Sequence, residues 1–421
     1  MRVLLSAFAF SPYKGSEAAV GWNIARELAR LHDVTVLTGA VRDGENDWNR
    51  YLTENGSVDG LTVEFVNPTG LVKLFDRVHQ LPGLWSLYYL AYRLWQREAF
   101  KRAKCLHKMR RFDVIHQLTM IGYREPGYLW KLDDVPFVWG PVGGGPDEPI
   151  AFHSLYSFSA KVKVVVRNVL NWIQKRLLLR PRLAARHAKK IWVVTDADER
   201  MVHGLWGREC ERMIETAATA SPLGRVRTWD GVEPLRIVWS GTHTYGKALP
   251  ILIHALAILK GNGLCNFVVD VLGKGGETIK WKNLAEKCGV ADVFKWHGHL
   301  SHDVAIETMA KCHLLAFPSL KEGTPHVVLE ALSLGLPVIC HDICGMGTVV
   351  TASCGIKILM KSPSISIKGF VDAISNIMRC PELLEKLSSG ALTRAKELSW
   401  TQKAHAISDA YALVRAKTDR Q

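Results

Sequence analysis

Residues 313–340 read HLLAFPSLKEGTPHVVLEALSLGLPVIC, and this stretch decides the fold. Its apolar start predicts a buried strand, and Thr324 is the predicted N-cap of the helix that follows, with Pro325 at the first helical position. The helix is predicted to end at Gly335, since glycine favours the left-handed cap and Pro337 prevents continuation. The stretch is therefore a strand–loop–helix unit, and in doubly wound sheets the helix of such a unit begins at the edge where ligands bind.

Strand and helix patterns alternate along the rest of the chain in two series. The first series consists of a helix at 17–31 and strands at 3–8, 34–38, 62–66, 113–116, 136–139 and 191–194. The second consists of helices at 247–260, 278–288 and 325–334 and strands at 235–239, 267–272, 313–317 and 337–340. Strands that alternate with helix-length segments predict parallel sheets. We therefore expect an α/β protein of two tandem doubly wound, Rossmann-like domains that face a cleft.

A segment at 221–234, rich in Pro, Gly and charge and without periodicity, separates the two series. It predicts an N-terminal domain over 1–222 and a C-terminal domain over 223–398. The last predicted helix begins near Ser399, a candidate N-cap, and we expect residues 399–421 to cross back to the N-terminal domain.

The composition excludes several classes of protein. The 421 residues are 48% apolar and 22% charged, which fits a folded chain of two or three domains and not a disordered or collagen-like one. The nine cysteines are scattered without zinc spacing, as expected in a reducing compartment. The start MRVLLSAFAF lacks a cleavage site and resembles a first strand, and no apolar run reaches the roughly 18 residues of a membrane span. We expect a cytoplasmic protein.

The net charge of +14 is concentrated in two segments. Residues 71–112 carry ten Lys and Arg against two acidic residues, and residues 151–190 carry ten and no acidic residue. Helical spacing in the first segment predicts one aromatic face, formed by Trp85, Tyr88, Tyr89, Tyr92 and Trp95. Such basic amphipathic helices are typical of proteins that lie on an anionic membrane surface, and the alternative is a core-packed helix with a solvated basic face. We expect no nucleic-acid partner, because the chain contains no recognised nucleic-acid-binding motif.

Two carboxylates flank the start of the helix predicted at 325–334, Glu322 in the loop and Glu330 inside the helix. The free N–H groups at a helix start favour an anion such as phosphate. An ionised carboxylate only accepts hydrogen bonds, so it suits the hydroxyl groups of a sugar. Phosphate and hydroxyl groups on one ligand describe a nucleotide sugar, and this is the ligand that the stretch predicts.

The pattern P-S-x-x-E-G-x-P-x-x-x-x-E-A-x-x-x-G-x-P-V over 318–338 resembles the donor-site signature of retaining glycosyltransferases of the GT-B fold, the large family-four group. The similarity extends to GSEAAVGW at 15–22 and to VWGPVGGG at 138–145. The resemblance implies that Glu322 contacts hydroxyl groups of the donor sugar and that Glu330 binds the ribose of the nucleotide.

The same resemblance implies that the backbone between Glu322 and Glu330 contacts the donor. It implies that the amides of Gly323, Thr324 and His326 line the sugar and the phosphate. Pro325 belongs to this donor-binding segment but has no N–H to offer.

Residues 239–256, WSGTHTYGKALPILIHAL, resemble the family's G-R-L-x-x-x-K-G stretch, whose Arg and Lys neutralise the donor diphosphate. Gly241 and Lys247 match the glycine and the lysine, but Thr242 stands where the arginine is expected. A hydroxyl does not replace an arginine fork on phosphate. Either Arg236 or Lys274 supplies the second positive charge, or the donor binds weakly.

The resemblance also points to two residues of the N-terminal half. Gly15, in the turn before the first helix, would let the backbone approach the donor phosphate and the acceptor. His116, at the end of a predicted strand, would lie near the reacting sugar, and the alternative is a purely structural histidine.

The resemblance implies a retaining glycosyltransferase that moves a hexose-type sugar from a UDP- or GDP-type donor to a hydroxyl acceptor, with Glu322, His116 and Lys247 in catalytic roles. The C-terminal domain would hold the donor and the N-terminal domain the acceptor. The donor loop has no Asp-x-Asp motif, so we expect no requirement for a metal ion.

The basic segments favour a lipid-linked glycan as the acceptor, in surface polysaccharide assembly on the cytosolic face of the inner membrane. Two alternatives remain at this point. One is a non-hydrolysing sugar-nucleotide epimerase, and the other is a non-catalytic peripheral membrane protein with a decayed GT-B site.

Overall fold

The computed structural model describes residues 1–39, 44–66 and 87–418. Its strands are β1 (Arg2–Ser6), β2 (Asp33–Gly39), β3 (Leu61–Val66), β4 (Val114–Gln117), β5 (Phe137–Val142), β6 (Ala188–Val193), β7 (Glu211–Arg212), β8 (Leu235–Ser240), β9 (Phe267–Leu272), β10 (Phe294–Gly298), β11 (Leu314–Phe317), β12 (Val338–His341) and β13 (Gly355–Ile358). Its α-helices are α1 (Glu17–Ala29), α2 (Gly44–Asn55), α3 (Leu87–Arg110), α4 (Phe158–Leu177), α5 (Leu179–His187), α6 (Asp196–Trp206), α7 (Leu249–Gly261), α8 (Thr278–Lys287), α9 (His302–Met309), α10 (His326–Ser333), α11 (Cys344–Val349), α12 (Pro363–Arg379), α13 (Pro381–Glu397) and α14 (Trp400–Thr418). Two compact units are built from these elements.

Unit 1 contains Met1–Gly145, Ile173–Thr216 and the chain from Trp400 onward. Its sheet is parallel, with the strand order β3–β2–β1–β4–β5–β6–β7. β1 lies inside the sheet between β2 and β4. The strand is buried from its second residue onward, which explains its almost continuous apolar sequence.

Unit 2 contains Pro146–Trp172 and Ala217–Ser399, and its parallel sheet has the order β10–β9–β8–β11–β12–β13. Ile237 in β8 pairs with Val269 in β9 on one side and with Leu314 in β11 on the other. The strand order therefore reverses between β8 and β11. Open parallel sheets bind ligands at such a reversal, beyond the carboxyl ends of the strands. The two sheets with their intervening helices confirm the predicted α/β fold class of two Rossmann-like units.

The helix of the 313–340 stretch begins later than predicted. Pro325 is the N-cap and has an extended backbone, with φ −70° and ψ 121°, so α10 starts at His326. Thr324 consequently lies outside the helix and is not its cap. The predicted end is confirmed, because Gly335 has φ 77°, the left-handed conformation that glycine adopts without a steric penalty.

Residues 146–172 correct the predicted extent of the N-terminal domain. We expected one domain over 1–222, but this segment belongs to unit 2 and the later crossing falls between Thr216 and Ala217. The physical reason is the apolar side of the segment, which fills the core of unit 2 beside β8. The residues that do so are Phe152, Tyr156, Ala160 and Val164.

The structure buries part of the aromatic face predicted in the first basic segment. Tyr92 and Trp95 are fully buried, and their rings lie 4.9 and 4.8 Å from the ring of Phe8 in unit 1. Trp85 and the side chain of Tyr88 lie outside the described residues, and Tyr89 is 42% exposed. The core-packed alternative therefore holds for Tyr92 and Trp95, which fix α3 in the core of unit 1.

The second basic segment keeps a large apolar surface in contact with solvent. Along α4 and the start of α5, the exposed fraction of several apolar side chains reaches half or more. These side chains belong to Phe158, Val166, Val169, Leu170, Trp172, Leu177 and Leu179. Lys161 and Lys163 lie on the same helix, so this surface, residues 158–179, is both apolar and basic.

Candidate functional site

The candidate site of unit 2 lies beyond the carboxyl ends of β8 and β11, where the strand order reverses. The loop after β8 runs through residues 241–247 and the loop after β11 through residues 318–325. The two loops are joined by the Gly246 carbonyl oxygen, which accepts a hydrogen bond of 2.9 Å from the Leu320 amide, and by the ion pair between Lys247 and Glu322. These bonds hold the two predicted motifs in one place.

Lys247 and Glu322 form an ion pair across the two loops. The Lys247 ammonium group donates a hydrogen bond to Oε1 of Glu322, and the Ser319 hydroxyl donates to the same oxygen at 2.6 Å. The lysine nitrogen also lies 5.1 Å from the centre of the Phe317 ring. Both charged side chains remain partly exposed, by 23% and 14%, so a ligand can reach them.

The segment between the two carboxylates turns tightly into α10. The Gly323 carbonyl oxygen accepts a hydrogen bond of 2.9 Å from the Gly345 amide, and Thr324 is buried. Burial and the neighbouring His302 lower the pKa of His326, so this side chain is neutral at pH 7. The segment therefore brings the amides at the start of α10 next to the Lys247–Glu322 pair without adding a second positive charge.

Glu330 lies on α10, eight residues after Glu322. Its side chain is 31% exposed, and its Oε1 lies 3.8 Å from Nδ1 of His302. Burial raises the pKa of Glu330, and His302 opposes this effect. Glu330 can thus accept hydrogen bonds from hydroxyl groups, while His302, which sequence reasoning missed, favours its charged form.

A cavity of about 250 Å³ opens at the ends of β8, β9 and β10 in the same unit. It is lined by Gly241 and Thr242 from the first loop and by Lys274 and His299 from the two neighbouring strand ends. Sequence reasoning missed His299. His299 directly follows β10, a strand that the sequence analysis did not predict. Recognition of residues 294–298 as a strand would have placed His299 at the site, because the carboxyl ends of parallel strands meet at one edge.

Arg236 does not supply charge to this site. Its side chain donates a hydrogen bond of 2.9 Å to the buried carboxylate of Asp270, and Arg236 lies near the amino end of β8. At about 3.3 Å per residue, that end of the strand is on the order of 15 Å from Gly241. Lys274 is thus the other predicted cation that the structure places at the cavity.

His116 is a correction to the predicted catalytic set. Its ring is fully buried in unit 1, where Nε2 contacts the Gly140 carbonyl oxygen at 2.7 Å and Nδ1 contacts the Tyr411 hydroxyl at 2.6 Å. A carbonyl only accepts, so Nε2 carries the hydrogen and Nδ1 accepts from Tyr411. Burial lowers the pKa of His116 to about 4. Both ring nitrogens are hydrogen-bonded inside the core, which favours the structural alternative for His116.

Gly15 lies in unit 1, and a cavity of about 180 Å³ opens beside it. The cavity is also lined by Ser11 and Lys14, which are held by the carboxylate of Asp47 at 2.6 and 3.3 Å. A Cβ atom added to Gly15 would meet no atom within 4 Å. The structure therefore places Gly15 at an open pocket before α1, in a different unit from the other predicted donor residues.

The comparisons with known proteins agree with this geometry. Residues 231–394 match the family described as glycosyl transferases group 1, and they contain both loops of the site. This match defines the class that this part of unit 2 is similar to, the group 1 glycosyl transferases, and it confirms the resemblance seen at 318–338.

Individual proteins extend the comparison to the whole chain. The lipopolysaccharide glucosyltransferase WaaG of Escherichia coli is 37% identical over 111 residues, which is 26% of this chain and 29% of that protein. The lipopolysaccharide outer core galactosyltransferase WaaB, in its apo form, has a TM-score of 0.64 at 12% identity and covers 96% of this chain and 98% of its own. HepE of Anabaena in complex with UDP has a TM-score of 0.60 at 15% identity, covering 98% and 99%.

The solved structures and the curated relatives support different conclusions about this chain. At such low identity, the solved structures show the fold alone, the GT-B fold of these glycosyltransferases. The matches to curated relatives span less than half of their length, 36% and 38% for two of them. The reaction, the donor and the acceptor are therefore inferred below from the site.

Proposed function

We propose that this protein is a retaining glycosyltransferase that moves a hexose-type sugar from a nucleoside diphosphate donor to a hydroxyl group. The observation that carries the proposal is the Lys247–Glu322 pair beside the start of α10, at the reversal of strand order in unit 2. A cation, a helix start and a carboxylate in one place suit phosphate on one side and sugar hydroxyls on the other.

The proposed reaction replaces one bond at the anomeric carbon. The bond from this carbon to the diphosphate oxygen breaks, and a bond to the acceptor oxygen forms on the same face. Lys247 and the amides at the start of α10 stabilise the negative charge on the leaving diphosphate. The acceptor proton passes to the leaving phosphate oxygen. Because Lys247 and these amides stabilise the charge of the diphosphate, the proposed step uses no divalent cation.

Glu322 binds sugar in this mechanism and does not attack it. Its Oε1 already accepts hydrogen bonds from Lys247 and Ser319, which makes the carboxylate a poor nucleophile. Glu330 accepts a hydrogen bond from the ribose. We infer a UDP-type donor, since HepE, similar in fold, is described in complex with UDP.

We further propose that the acceptor is a lipid-linked glycan and that the protein binds the cytosolic face of the inner membrane. Supporting observations are the apolar and basic surface of 158–179 and the lipopolysaccharide substrates named for WaaG and WaaB. Among the described helices, we find none that is both long and apolar enough to cross a bilayer. A protein that docks through residues 158–179 would reach such an acceptor from the membrane surface.

The donor site is tested by thermal shift with UDP, GDP and ADP. A ligand that binds only the folded state raises the melting temperature, so we expect UDP to stabilise the protein. We expect Glu330→Ala to abolish the shift and Glu286→Ala, an exposed carboxylate on α8, to leave it intact. If no nucleotide stabilises the protein at millimolar concentration, the proposal fails and a non-catalytic membrane protein becomes the better interpretation.

Retention is tested on the product. Incubation of the protein with UDP-hexose and a hydroxyl acceptor should give a glycoside whose anomeric configuration, read by NMR, equals that of the donor. Inversion would contradict the mechanism. Interconversion of the donor sugar in the absence of acceptor would instead identify an epimerase.

A further inference from the structure

The Lys247–Glu322 pair alone does not supply the charge that a diphosphate needs. Lys247 matches the lysine of the first loop, and it is already paired with Glu322. Together the two side chains carry no net charge. A nucleoside diphosphate brings at least two negative charges, and its strongest contacts are charge-assisted hydrogen bonds from cations. Lys247 can serve the diphosphate only by sharing its ammonium group with Glu322.

A second lysine lies at the next strand end. Lys274 follows β9 and lines the 250 Å³ cavity together with Gly241 and Thr242. Gly241 also touches Lys247, since a Cβ atom built on it would lie 3.6 Å from two carbons of the lysine chain. Gly241 therefore has the Lys247 side chain on one side and the cavity with Lys274 on the other.

The backbone that carries Lys274 is fixed against the loop of Lys247. Gly273 has φ 112°, and a Cβ atom at this position would lie 2.0 Å from the Gly241 carbonyl oxygen, so only glycine permits this approach. The Lys274 carbonyl oxygen accepts a hydrogen bond of 3.2 Å from the His243 amide. The lysine side chain itself is exposed to solvent. A rigid base with an exposed ammonium group at a cavity mouth suits the binding of an anion.

We propose that Lys274 binds the diphosphate of the donor as its second cation. This inference rests on the proposed function, because it assigns a ligand group to the same donor site. It predicts that Lys274 distinguishes a nucleoside diphosphate from the nucleoside alone. Lys247 remains shared with Glu322 and stabilises the charge that develops as the sugar leaves.

The test is isothermal titration of the full-length protein with UDP and with uridine. The variants are Lys274→Ala, Lys274→Arg and Lys287→Ala, the last being an exposed lysine on α8 that changes the net charge equally. We expect Lys274→Ala to weaken UDP binding about tenfold, as for the loss of a charge-assisted hydrogen bond, and to leave uridine binding unchanged. Lys274→Arg and Lys287→Ala should bind UDP as the wild type does.

A second experiment moves the positive charge from position 274 to position 242, where it should restore UDP binding. Thr242 lines the same cavity, so Thr242→Arg in the Lys274→Ala background should restore most of the lost UDP affinity. If Lys274→Ala weakens UDP and uridine equally, or weakens neither, the inference is wrong. In that case UDP binding that is still lost in Glu330→Ala would leave the proposed function standing, whereas a wild type that binds no nucleotide would overturn both.

Discussion

At the scale of single residues, Lys247 and Glu322 act as one group because they share a hydrogen bond. We predict that Lys247→Met and Glu322→Gln each lower kcat/KM for sugar transfer by about 10²- to 10³-fold, the loss typical of a group that stabilises transition-state charge. The double variant should lose far less than the product of the two, since each single change already breaks the pair.

The control for this comparison of single and double variants is an ion pair outside the site. Lys260 and Asp292 are joined at 2.8 Å in the same unit. Lys260→Met and Asp292→Asn should leave kcat/KM unchanged. Losses at Lys247 and Glu322 that multiply in the double variant would mean that the two residues act independently.

His116 gives a prediction about pH and stability. Its pKa is about 4 in the folded protein and close to 6.5 in the unfolded chain, so its contribution is complete above about pH 6.5 and is lost as the pH falls toward 4. Over this window the loss amounts to about 3 kcal/mol. We expect His116→Gln to show a correspondingly weaker acid destabilisation of unit 1, measured by amide exchange in β4.

The same variant separates a structural role from a catalytic one. If His116 only joins Gly140 to Tyr411, kcat/KM of folded His116→Gln should equal that of the wild type at pH 7.5. A large fall in kcat with unchanged exchange protection would restore His116 to the catalytic set.

The residues of the site show which features can be predicted from sequence and which cannot. Glu322, Lys247 and Gly335 belong to local patterns, strand followed by loop followed by helix, and such patterns fix both the fold class and the edge where the site lies. The burial of His116 depends on Tyr411, 295 positions away, and no local pattern reports that contact. Similarly, the pairing of Arg236 with Asp270 joins neighbouring strands and removes a predicted phosphate ligand.

At the scale of elements, helices α3 and α4 have similar sequences but differ in how far their apolar side chains are buried. Both are basic and carry large apolar residues, but α3 buries Tyr92 and Trp95 while α4 leaves Val166 and Val169 about half exposed. Periodicity identifies an apolar face on a helix, but the packing of the folded chain decides whether protein or solvent covers that face.

The exposed face of α4 gives a prediction about membranes. We expect Val166→Asn with Val169→Asn, and separately Lys161→Gln with Lys163→Gln, to reduce cosedimentation with liposomes containing anionic lipid. Each surface lysine contributes about 1 kcal/mol to such binding, so the lysine pair should cost at least tenfold. The wild-type interaction should weaken in high salt and be much smaller on neutral liposomes.

Leu413→Asn on α14 provides the matched control, because this leucine is exposed but lies on another helix. It should cosediment as the wild type does. If the wild type itself fails to bind anionic liposomes at low salt, the membrane proposal is wrong, and nucleotide binding in unit 2 is unaffected by that outcome.

At the scale of the whole molecule, each unit is completed by a segment distant in sequence. Unit 1 includes α14, whose residues Ile407 and Tyr411 are buried. Lys403 on the same helix donates a hydrogen bond of 3.0 Å to the Thr216 carbonyl oxygen. Unit 2 receives 146–172, including the buried ring of Phe152. Sequence analysis expected residues 399–421 to join the N-terminal domain. The exchange of 146–172 has no signature in the two β/α series, so sequence reasoning placed the boundary at 222 and missed that segment.

This interleaving predicts that the two units can be destabilised one at a time. Truncation after Ser399 removes α14, so amide exchange should increase in β1 and β4 while β8 and β11 stay protected and UDP still binds. Phe152→Ala leaves a cavity in the other core and should cost unit 2 about 3–5 kcal/mol, with faster exchange in β8 and weaker UDP binding but unchanged protection of β1. If both variants accelerated exchange in all four strands to the same extent, the chain would unfold as a single cooperative body, and the segment exchange would stabilise the molecule as a whole.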